Sequence, residues 1–548
     1  MAKITPTIKA GLGYSLEKFF ADWKPPQRDK LELSGLRGEV LSFQLAYNTD
    51  RHCPVEVSLS GPLAEQVIVR RIDLAHVEHP TYATAKQARD GRSPGFYPDP
   101  LIPGVPFRGY KDQTRGIWFT LPISVRAKAG DSILKILLTT DGEKVAEFSV
   151  SVKIIAATLP KQELKNFHWF HNDCIMSYHN VDAWSAGHWK IVEPYLRNAA
   201  EHGVNTMSMP VFTPPLDTAI GTERPTVQLV DIEKLGSNEY KFNFRKLKRW
   251  VDLCKKCGLT DFAITPLSTQ WGAKFAPKII AKVNGVERRI FGWHTASTSP
   301  AYKAFLFQFL PELTAFLKRE KILNHVHMNV SDEPGLKHIE EYKAVRNILK
   351  AAAPEIPVLE ALSNMEFYKH GLIERPAPCN NHVQPFLDAG VKPLWTYYCC
   401  AQTQDVSNRF MDFPAARNRI LGWQLFKFEF EGFLHWGYNH WYKGLSSELL
   451  DPYTQADGGR LLPPGDGFVV YPGVGGPVDS MRWEVFREGL QDMRALHLLK
   501  KLAGSKPEKE IASLLALQPI KNMAQYPRTM NWLLDKRETV NQAIANLV

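Results

Sequence analysis

The chain has 548 residues, of which 44% are hydrophobic and 23% are charged, a composition typical of a globular protein with room for two or three domains. Its 67 basic and 57 acidic residues give a net charge of +10, and the scattered basic residues argue against a nucleic-acid partner. We also expect no membrane span, because no apolar run is long enough to cross a bilayer.

The amino-terminal sequence lacks the apolar core of a signal peptide, so we expect a cytoplasmic protein unless a leader has been removed. The seven cysteines do not follow the spacing of a disulfide framework. Cys254 and Cys257 form a lone CxxC inside a helical pattern, and His325 and His327 have no matching third ligand. We therefore expect neither a bound metal nor another cofactor.

The first part of the chain, residues 1–158, has the pattern of β-structure. Apolar residues alternate with polar ones over 41–47, 55–59 and 148–154, and turn residues separate these runs. Repeated short alternating strands without a strong helix predict an antiparallel β-sandwich. A segment rich in Gly and Pro, 81–104, is too long for a simple turn and interrupts this pattern.

The second part, residues 159–548, alternates predicted strands with amphipathic helices. The predicted strands are, in chain order, 167–171, 206–212, 262–266, 325–331, 357–362, 380–383, 394–398 and 433–438. Residues 416–428 suit a helix better than a strand. Eight strand–helix units predict a (β/α)8 TIM-like barrel with C-terminal helices, and the alternative is an open doubly wound sheet. No glycine-rich nucleotide-binding motif follows any strand.

One acid pair, Asp332 and Glu333, directly follows the fourth predicted strand in the segment HVHMNVSDEPGLK. A helical pattern begins at Ile339, so the two acids have two interpretations. They are either the N-cap and first-turn charges of that helix or catalytic groups at the end of a barrel strand, where barrel chemistry is located.

The adjacency of the two acids favours one type of glycosidase chemistry. Two carboxyl groups that flank a sugar from opposite sides normally come from different strands. Adjacent carboxyl groups suit a substrate whose 2-acetamido oxygen attacks its own anomeric carbon. One carboxylate then orients the amide and stabilises the oxazolinium ion, and the other donates and later removes the proton. Like charges this close also raise the pKa of one of them.

Further candidates lie near other predicted strand ends. We expect substrate contacts from a group of polar and aromatic residues, namely His171, Asp173, Trp271, Trp395, Tyr397, Trp436, Tyr438 and Asn439. The indoles are candidate platforms for a sugar ring, and Tyr397 for the acetamido carbonyl. The structural alternatives are core packing for the aromatic residues, a helix cap for Asp173 and a turn for Asn439.

Several motifs together resemble glycoside hydrolase family 123 and its relatives with domain of unknown function 4091. They are FHWFHNDC, SDEP, WTYYCC, GFLHWGYNHW, PGDGFVVYPG and MRWEVFREGLQDMRAL in the second part, and YPDPLIP and GIWFTLPISV in the first. The resemblance implies a retaining β-N-acetylgalactosaminidase with a sandwich and a barrel. It assigns Asp332 to orient the acetamido group and Glu333 to act as general acid/base.

The expected partner is therefore a carbohydrate with a terminal 2-acetamido sugar, and we expect a monomer or a homodimer. Two alternatives stay open at this stage. One is a glycosidase of the same fold that acts on a β-N-acetylglucosaminide or another glycoside. The other is a carbohydrate-binding protein without catalytic activity.

Overall fold

The computed structural model describes residues 6–79, 81 and 94–548. Half of the predicted insert at 81–104, residues 82–93, therefore lies outside the described residues, but its last part forms a strand. The strands of the first region are β1 (Ile8–Tyr14), β2 (Lys30–Arg37), β3 (Val40–Thr49), β4 (Cys53–Ser60), β5 (Ile68–Val77), β6 (Gly95–Pro103), β7 (Phe107–Gly109), β8 (Thr114–Pro122), β9 (Gly130–Thr140) and β10 (Glu143–Thr158).

These ten strands form two five-stranded sheets, ordered β1-β3-β8-β5-β6 and β2-β10-β9-β4-β7. Alternate residues of both sheets meet in one hydrophobic core, in which Phe43 stacks on Phe119 with ring centroids 4.8 Å apart. The predicted all-β character of this region is confirmed. The pairing is not purely antiparallel, because β2 runs parallel to β10. Alternation in a sequence reports which face is buried and does not report the direction of the neighbouring strand.

The second region contains the remaining elements. They are β11 (Lys165–His168), α1 (Asn172–Tyr178), α2 (Ala186–Glu201), β12 (Thr206–Met209), β13 (Asp231–Lys234), β14 (Tyr240–Asn243), α3 (Arg245–Lys256), β15 (Asp261–Ile264), β16 (Ile279–Val283), β17 (Val286–Phe291), α4 (Pro300–Arg319), β18 (Val326–Met328), α5 (Ile339–Ala352), β19 (Leu359–Ala361), α6 (Met365–Lys369), β20 (Arg375–Ala377), α7 (Gln384–Asp388), β21 (Trp395–Tyr397), α8 (Ala416–Lys427), β22 (Gly432–His435), β23 (Val470–Gly473), β24 (Gly476–Asp479), α9 (Met481–Ala503), α10 (Lys509–Ala516) and α11 (Met530–Asn546).

This region is an α/β domain with curved parallel sheets. Six strands pair in the order β18-β15-β12-β11-β22-β21, and β19 pairs with β20 in a second parallel sheet. Single bridges join Met328 to Val358, next to β19, and Cys379, next to β20, to Tyr397. No helix within the described part of the chain is long and apolar enough to span a membrane.

Seven of the eight predicted strands coincide with observed parallel strands, and the sixth prediction is wrong. Residues 380–383 form a turn, and the strand is Arg375–Ala377 instead. Proline removes a backbone donor and normally indicates a loop or an edge strand. Because of Pro376, the sequence pattern did not predict this three-residue strand. The predicted helix at 416–428 is confirmed as α8.

The two regions meet through buried ion pairs to α9. The guanidinium of Arg482 binds both carboxylate oxygens of Asp99, with Nε 3.0 Å from Oδ1. The same side chain donates hydrogen bonds of 2.7 and 3.0 Å to the carbonyls of Gly465 and Phe468. Because Asp466 lies between those two carbonyls in the chain, this contact between the regions also fixes a loop that reaches the candidate site.

Candidate active site

A pocket opens at the carboxyl ends of the parallel strands of the second region. Its wall combines carboxyl, amide, thiol and aromatic side chains, and the lining residues are Trp169, Asp217, Gln270, Trp271, Asp332, Glu333, Ala361, Tyr397, Cys399, Cys400, Leu434, Trp436 and Leu462. Five of the predicted site residues meet there: Asp332, Glu333, Trp271, Tyr397 and Trp436. The other five predicted residues lie outside the lining.

The acid pair does not cap a helix. Helix α5 begins at Ile339 with His338 at its N-cap position, several residues after Glu333. The turn is instead fixed by its neighbours, because the Asp332 carbonyl accepts a 2.8 Å hydrogen bond from the Trp271 backbone and the Glu333 N–H donates one of 3.1 Å to Ala361. Glu333 has a φ of +43°, a left-handed conformation that is rare for a residue with a side chain. The capping interpretation is therefore excluded.

A buried glutamate holds the strand end that leads into this turn. Oε2 of Glu360 accepts hydrogen bonds from the backbone N–H groups of Val330 and Ser331, at 3.0 and 3.1 Å, and from the Tyr342 hydroxyl at 3.0 Å. Burial raises the pKa of Glu360 to about 8, although these donors oppose the increase. Glu360 thus links β19 to the residues immediately before the acid pair.

Charge crowding acts on Asp332. Burial raises the pKa of Asp332 well above its usual range, and the carboxylates of Glu333, Glu360 and Asp217 raise it further. Asp332, whose pKa is raised, is the residue that we expect to orient the acetamido group. An N–H donor or a developing positive charge beside Asp332 would favour its charged form again.

Glu333 is an exposed side chain of the pocket with one direct partner from another strand end. The hydroxyl of Tyr397, at the end of β21, donates a hydrogen bond to Oε1 of Glu333. Burial raises the pKa of Tyr397 well above its usual range, and the charge of Glu333 adds to this. Tyr397 consequently remains a neutral phenol donor at physiological pH.

Three indoles face the pocket. Trp271 is 45% exposed, which is unusual for tryptophan, and its φ of +58° is a left-handed conformation in the loop that follows β15. The indole Nε1 of Trp436 donates a 2.9 Å hydrogen bond to Oδ2 of buried Asp466. Trp169, directly after β11, is the third. Their apolar faces are suited to stack on the C–H face of a sugar.

Trp395 is a core residue rather than a platform. It is fully buried, and its ring contacts His327 edge-on with centroids 5.7 Å apart. It also packs on Gly432, where a Cβ atom would lie 2.1 Å from the indole ring. Because β21 and β22 can pair here only with glycine opposite the ring, Trp395 contributes to packing.

His171 and Asp173 lie behind the pocket wall, in an ion pair with Arg224. Two hydrogen bonds of 2.7 and 2.8 Å join the Arg224 guanidinium to the Asp173 carboxylate. Arg224 also donates to Nδ1 of His171 at 2.9 Å, so Nε2 carries the proton and donates to the Trp436 carbonyl at 2.9 Å. Burial, together with Arg224, lowers the pKa of His171 to about 3. This neutral imidazole supports the backbone of Trp436.

Tyr438 and Asn439 also point away from the pocket. The Tyr438 hydroxyl is bonded to the Tyr195 carbonyl at 3.0 Å and to Oδ1 of Asn198 at 2.9 Å, both on α2. The Asn439 side chain pairs with the backbone N–H and carbonyl of His171, at 2.9 and 3.0 Å. Tyr438 therefore connects the segment after β22 to α2, Asn439 connects it to the segment after β11, and neither side chain lines the pocket.

Sequence reasoning missed five polar or aromatic residues of the lining. Gln270 carried a usable signal because it lies a few residues beyond the predicted strand 262–266, whereas Trp169 lies inside the predicted strand 167–171. Asp217 lies in the long segment between β12 and β13, where no pattern indicates that it folds back to the site. Its backbone and side chain contact Ser446 and Leu445 on a distant loop. The last two, Cys399 and Cys400, follow β21 after one intervening residue.

One group of described residues has the spacing of metal ligands, and it lies far along the chain from the acid pair. It comprises His202, Asp479 and Glu484. The guanidinium of Arg70 already binds both carboxylates, at 2.5 Å from Asp479 and 2.8 Å from Glu484. Arg70 therefore supplies the cation at this contact between the two regions, and the arrangement is that of a buried ion-pair network.

A carboxyl pair among indole rings at the carboxyl ends of parallel strands is typical of a glycoside hydrolase. The catalytic-domain model of glycoside hydrolase family 123 matches residues 169–499, which is more than half of the chain. The chain belongs to glycoside hydrolase family 123, and the prediction made from its motifs is confirmed.

One solved structure matches the fold of nearly the whole chain. A family 123 glycoside hydrolase from Clostridium perfringens, whose glycolipid glycan hydrolysis has been analysed structurally, matches 98% of this chain and 98% of its own with a TM-score of 0.75 and 14% identity. That similarity shows a shared fold across both regions.

Two further solved structures match this chain only at TM-scores below 0.5. A GH10 xylanase with a bacterial Ig-like domain from termite gut covers 85% of this chain and 100% of its own, at a TM-score of 0.34 and 10% identity. A GH5 xyloglucanase from Bacteroides ovatus covers 84% and 98%, at a TM-score of 0.31 and 7% identity. No curated protein sequence matches the chain significantly.

Proposed function

We propose that the protein is a retaining glycosidase that releases terminal β-linked N-acetylgalactosamine from glycolipids or other glycoconjugates by a substrate-assisted mechanism. The observation that carries the proposal is the placement of two adjacent carboxyl groups, Asp332 and Glu333, on one turn in an indole-lined pocket. Adjacent side chains reach the sugar from one side, which leaves the nucleophile to the substrate itself.

The first step forms an oxazolinium ion. The acetamido N–H donates a hydrogen bond to the Asp332 carboxylate, and the acetamido carbonyl oxygen attacks the anomeric carbon. The bond to the leaving-group oxygen breaks as Glu333 transfers its proton to that oxygen. The positive charge that develops on the oxazolinium ring favours the charged form of Asp332, which burial otherwise opposes.

The second step restores the enzyme. Glu333, now a carboxylate, removes a proton from water, and the water oxygen attacks the anomeric carbon as the oxazolinium ring opens. Two inversions give a product with the original β-configuration. In this proposal Tyr397 orients Glu333, Trp271 and Trp436 contact the sugar ring, and Trp169 joins them as a third platform.

We also propose that the parallel strands form one closed (β/α)8 barrel and that the domains divide at 158/159. The bridges from Met328 to Val358 and from Cys379 to Tyr397 support closure, because they join β18 to the β19 edge and β20 to β21. An experimental structure with either edge unpaired would contradict closure.

The experiment measures hydrolysis of aryl β-N-acetylgalactosaminides by the wild type, Asp332→Asn and Glu333→Gln. Loss of the general acid reduces kcat/KM by about 10²- to 10⁴-fold on a poor leaving group. A dinitrophenyl leaving group needs no proton, so it restores the first step in Glu333→Gln and does not restore it in Asp332→Asn. Restoration in the Asp332 variant alone would reverse the two roles.

Two controls complete the design. The exposed Glu429, paired with Lys500 on the surface, is replaced by Gln as a matched acid-to-amide change that should leave the rates unchanged. An aryl β-N-acetylglucosaminide tests the choice of sugar, and the aryl β-galactoside tests the need for the acetamido group. Equal turnover of the β-galactoside would overturn the proposed mechanism.

A further inference from the structure

Two consecutive cysteines form part of the pocket wall. Cys399 and Cys400 follow β21 after one intervening residue, and both are partly exposed, whereas the other five cysteines of the chain are buried. Their Sγ atoms are 4.0 Å apart. A reagent that enters the pocket therefore meets two thiols together, and none of the proposed catalytic steps uses either of them.

The backbone around the two thiols is held in one conformation. The Cys399 N–H donates a 2.8 Å hydrogen bond to the side-chain oxygen of Gln402. Its carbonyl accepts bonds from the Gln402 N–H at 3.2 Å and from the Asn408 side chain at 3.0 Å. These hydrogen bonds hold the backbone of Cys399 at the pocket wall, with Cys400 next to it.

The thiol pair is also close to the proposed general acid. Tyr397, two residues before Cys399, donates its hydrogen bond to Glu333. The hydrogen bond from Cys400 raises the pKa of Cys399 well above its usual range, and burial and the Glu333 charge raise it further. A change in the conformation of this turn therefore reaches both the pocket wall and the residue that orients Glu333.

We propose that Cys399 and Cys400 are a dithiol modification site at which a low-mass disulfide forms a reversible bridge that inactivates the glycosidase. The inactivation rests on the proposed function, whereas the bridge itself does not. The thiolate of Cys400 attacks the disulfide, releasing one thiol and forming a mixed disulfide. The thiolate of Cys399 then attacks Sγ of Cys400 and releases the second thiol. Two protein thiols are oxidised, and the reagent disulfide is reduced to two thiols.

Geometry explains why such a bridge would be both disruptive and reversible. Bridging brings the sulfur atoms from 4.0 Å to about 2 Å apart, which the fixed turn cannot accommodate without rearrangement. Consecutive Cα atoms are only about 3.8 Å apart, below the usual range of about 4.4–6.8 Å for a disulfide, so the bridge is strained. Strained and exposed disulfides are the ones most easily reduced.

The direct test uses oxidised glutathione and peptide mass spectrometry on the folded protein. The wild type should yield a peptide with Cys399 and Cys400 that has lost two hydrogen atoms and resists alkylation. Dithiothreitol should restore both thiols and the activity. In Cys399→Ser and Cys400→Ser no bridge can form, and Cys257→Ser, which changes a buried cysteine at the C-terminal end of α3, is the matched control that should behave as the wild type.

A second probe separates a dithiol from single reactive thiols. Phenylarsine oxide exchanges its oxygen for two sulfur bonds and releases water, so it should inactivate the wild type and Cys257→Ser. It should leave each single pocket variant at the activity of its own untreated sample. Equal inactivation of the two pocket variants and the wild type would overturn the proposal.

The outcomes also separate this proposal from the proposed function. If both thiols are alkylated in glutathione-treated protein, the dithiol proposal is wrong whatever the substrate is. If the bridge forms and aryl β-N-acetylgalactosaminide hydrolysis is unchanged, the inactivation is wrong and the proposed function stands. If the bridge forms and the untreated protein hydrolyses none of the aryl glycosides, the modification site stands and the proposed function fails.

Discussion

The hydroxyl of Tyr397 donates a hydrogen bond to Oε1 of Glu333 and so connects the end of β21 to the end of β18. This bond orients the carboxyl group that is proposed to transfer the proton. Hydrogen bonds to charged groups contribute about 1.5–3 kcal/mol, so Tyr397→Phe should lower kcat by about 10- to 100-fold with little change in KM.

The next residue supplies the control for this change. Tyr398 is buried too, but its hydroxyl has no hydrogen-bond partner within the described residues. Tyr398→Phe removes the same atom one position later in the chain and should leave kcat unchanged. A similar loss of kcat in both variants would show that the effect arises from packing and not from the bond to Glu333.

Glu360 predicts a pH dependence of stability. Burial raises the pKa of Glu360 from 4.5 to about 8, so folding favours its protonated form. This stabilisation is fully present below pH 4.5 and is lost as the pH rises through about 8. The free energy of unfolding should therefore decrease by up to about 1.4 kcal/mol per pH unit across that window from this group alone.

Glu360→Gln tests this dependence, because glutamine still accepts the Val330 and Ser331 bonds but does not ionise. Urea unfolding at several pH values between 4.5 and 8 should give a shallower slope than in the wild type. Folding also raises the pKa of Asp332, so the stability of the variant should still decrease with pH, but less steeply. Identical slopes in the variant and the wild type would show that folding does not raise the pKa of Glu360.

The buried ion pair of Arg224 and Asp173 should make a large contribution to the free energy of unfolding. Arg224→Met leaves the Asp173 carboxylate buried without a partner, which costs about 3–5 kcal/mol. Arg197→Met breaks an exposed pair with Glu193 on α2 and should cost at most about 1 kcal/mol. Chemical denaturation of both variants measures the difference, and equal losses would contradict the buried-pair explanation.

The indoles of the pocket should determine sugar affinity. Trp271→Ala and Trp436→Ala should each weaken binding of N-acetylgalactosamine about tenfold, since an aromatic contact contributes about 1 kcal/mol or more. Trp395→Phe changes a fully buried indole outside the pocket, so it should lower stability and leave the dissociation constant unchanged. Calorimetric titration gives all three constants. If only Trp395→Phe weakens binding, the sugar does not bind at Trp271 and Trp436.

Local patterns were sufficient to predict the all-β first region, seven of the parallel strands, the family and the position of the acid pair. These features depend on side-chain alternation and short motifs. The partners of a side chain depend on tertiary contacts that no local pattern encodes. Arg224 neutralises Asp173 from 51 residues away, and Asp217 enters the pocket from a segment without a motif. Proximity to a predicted strand end was shared by Trp271, which lines the pocket, and by His171, which lies behind its wall.

The central claim is that the substrate supplies its own nucleophile, and a series of aryl galactosaminides with mono-, di- and trifluorinated N-acetyl groups tests it most directly. Fluorine withdraws electrons from the amide oxygen and makes it a weaker nucleophile without removing the group. If the acetamido oxygen attacks the anomeric carbon beside Asp332, kcat/KM should decrease steeply with each added fluorine. Rates that do not depend on fluorination would contradict the account, because an enzyme carboxylate or a water molecule would then be the nucleophile.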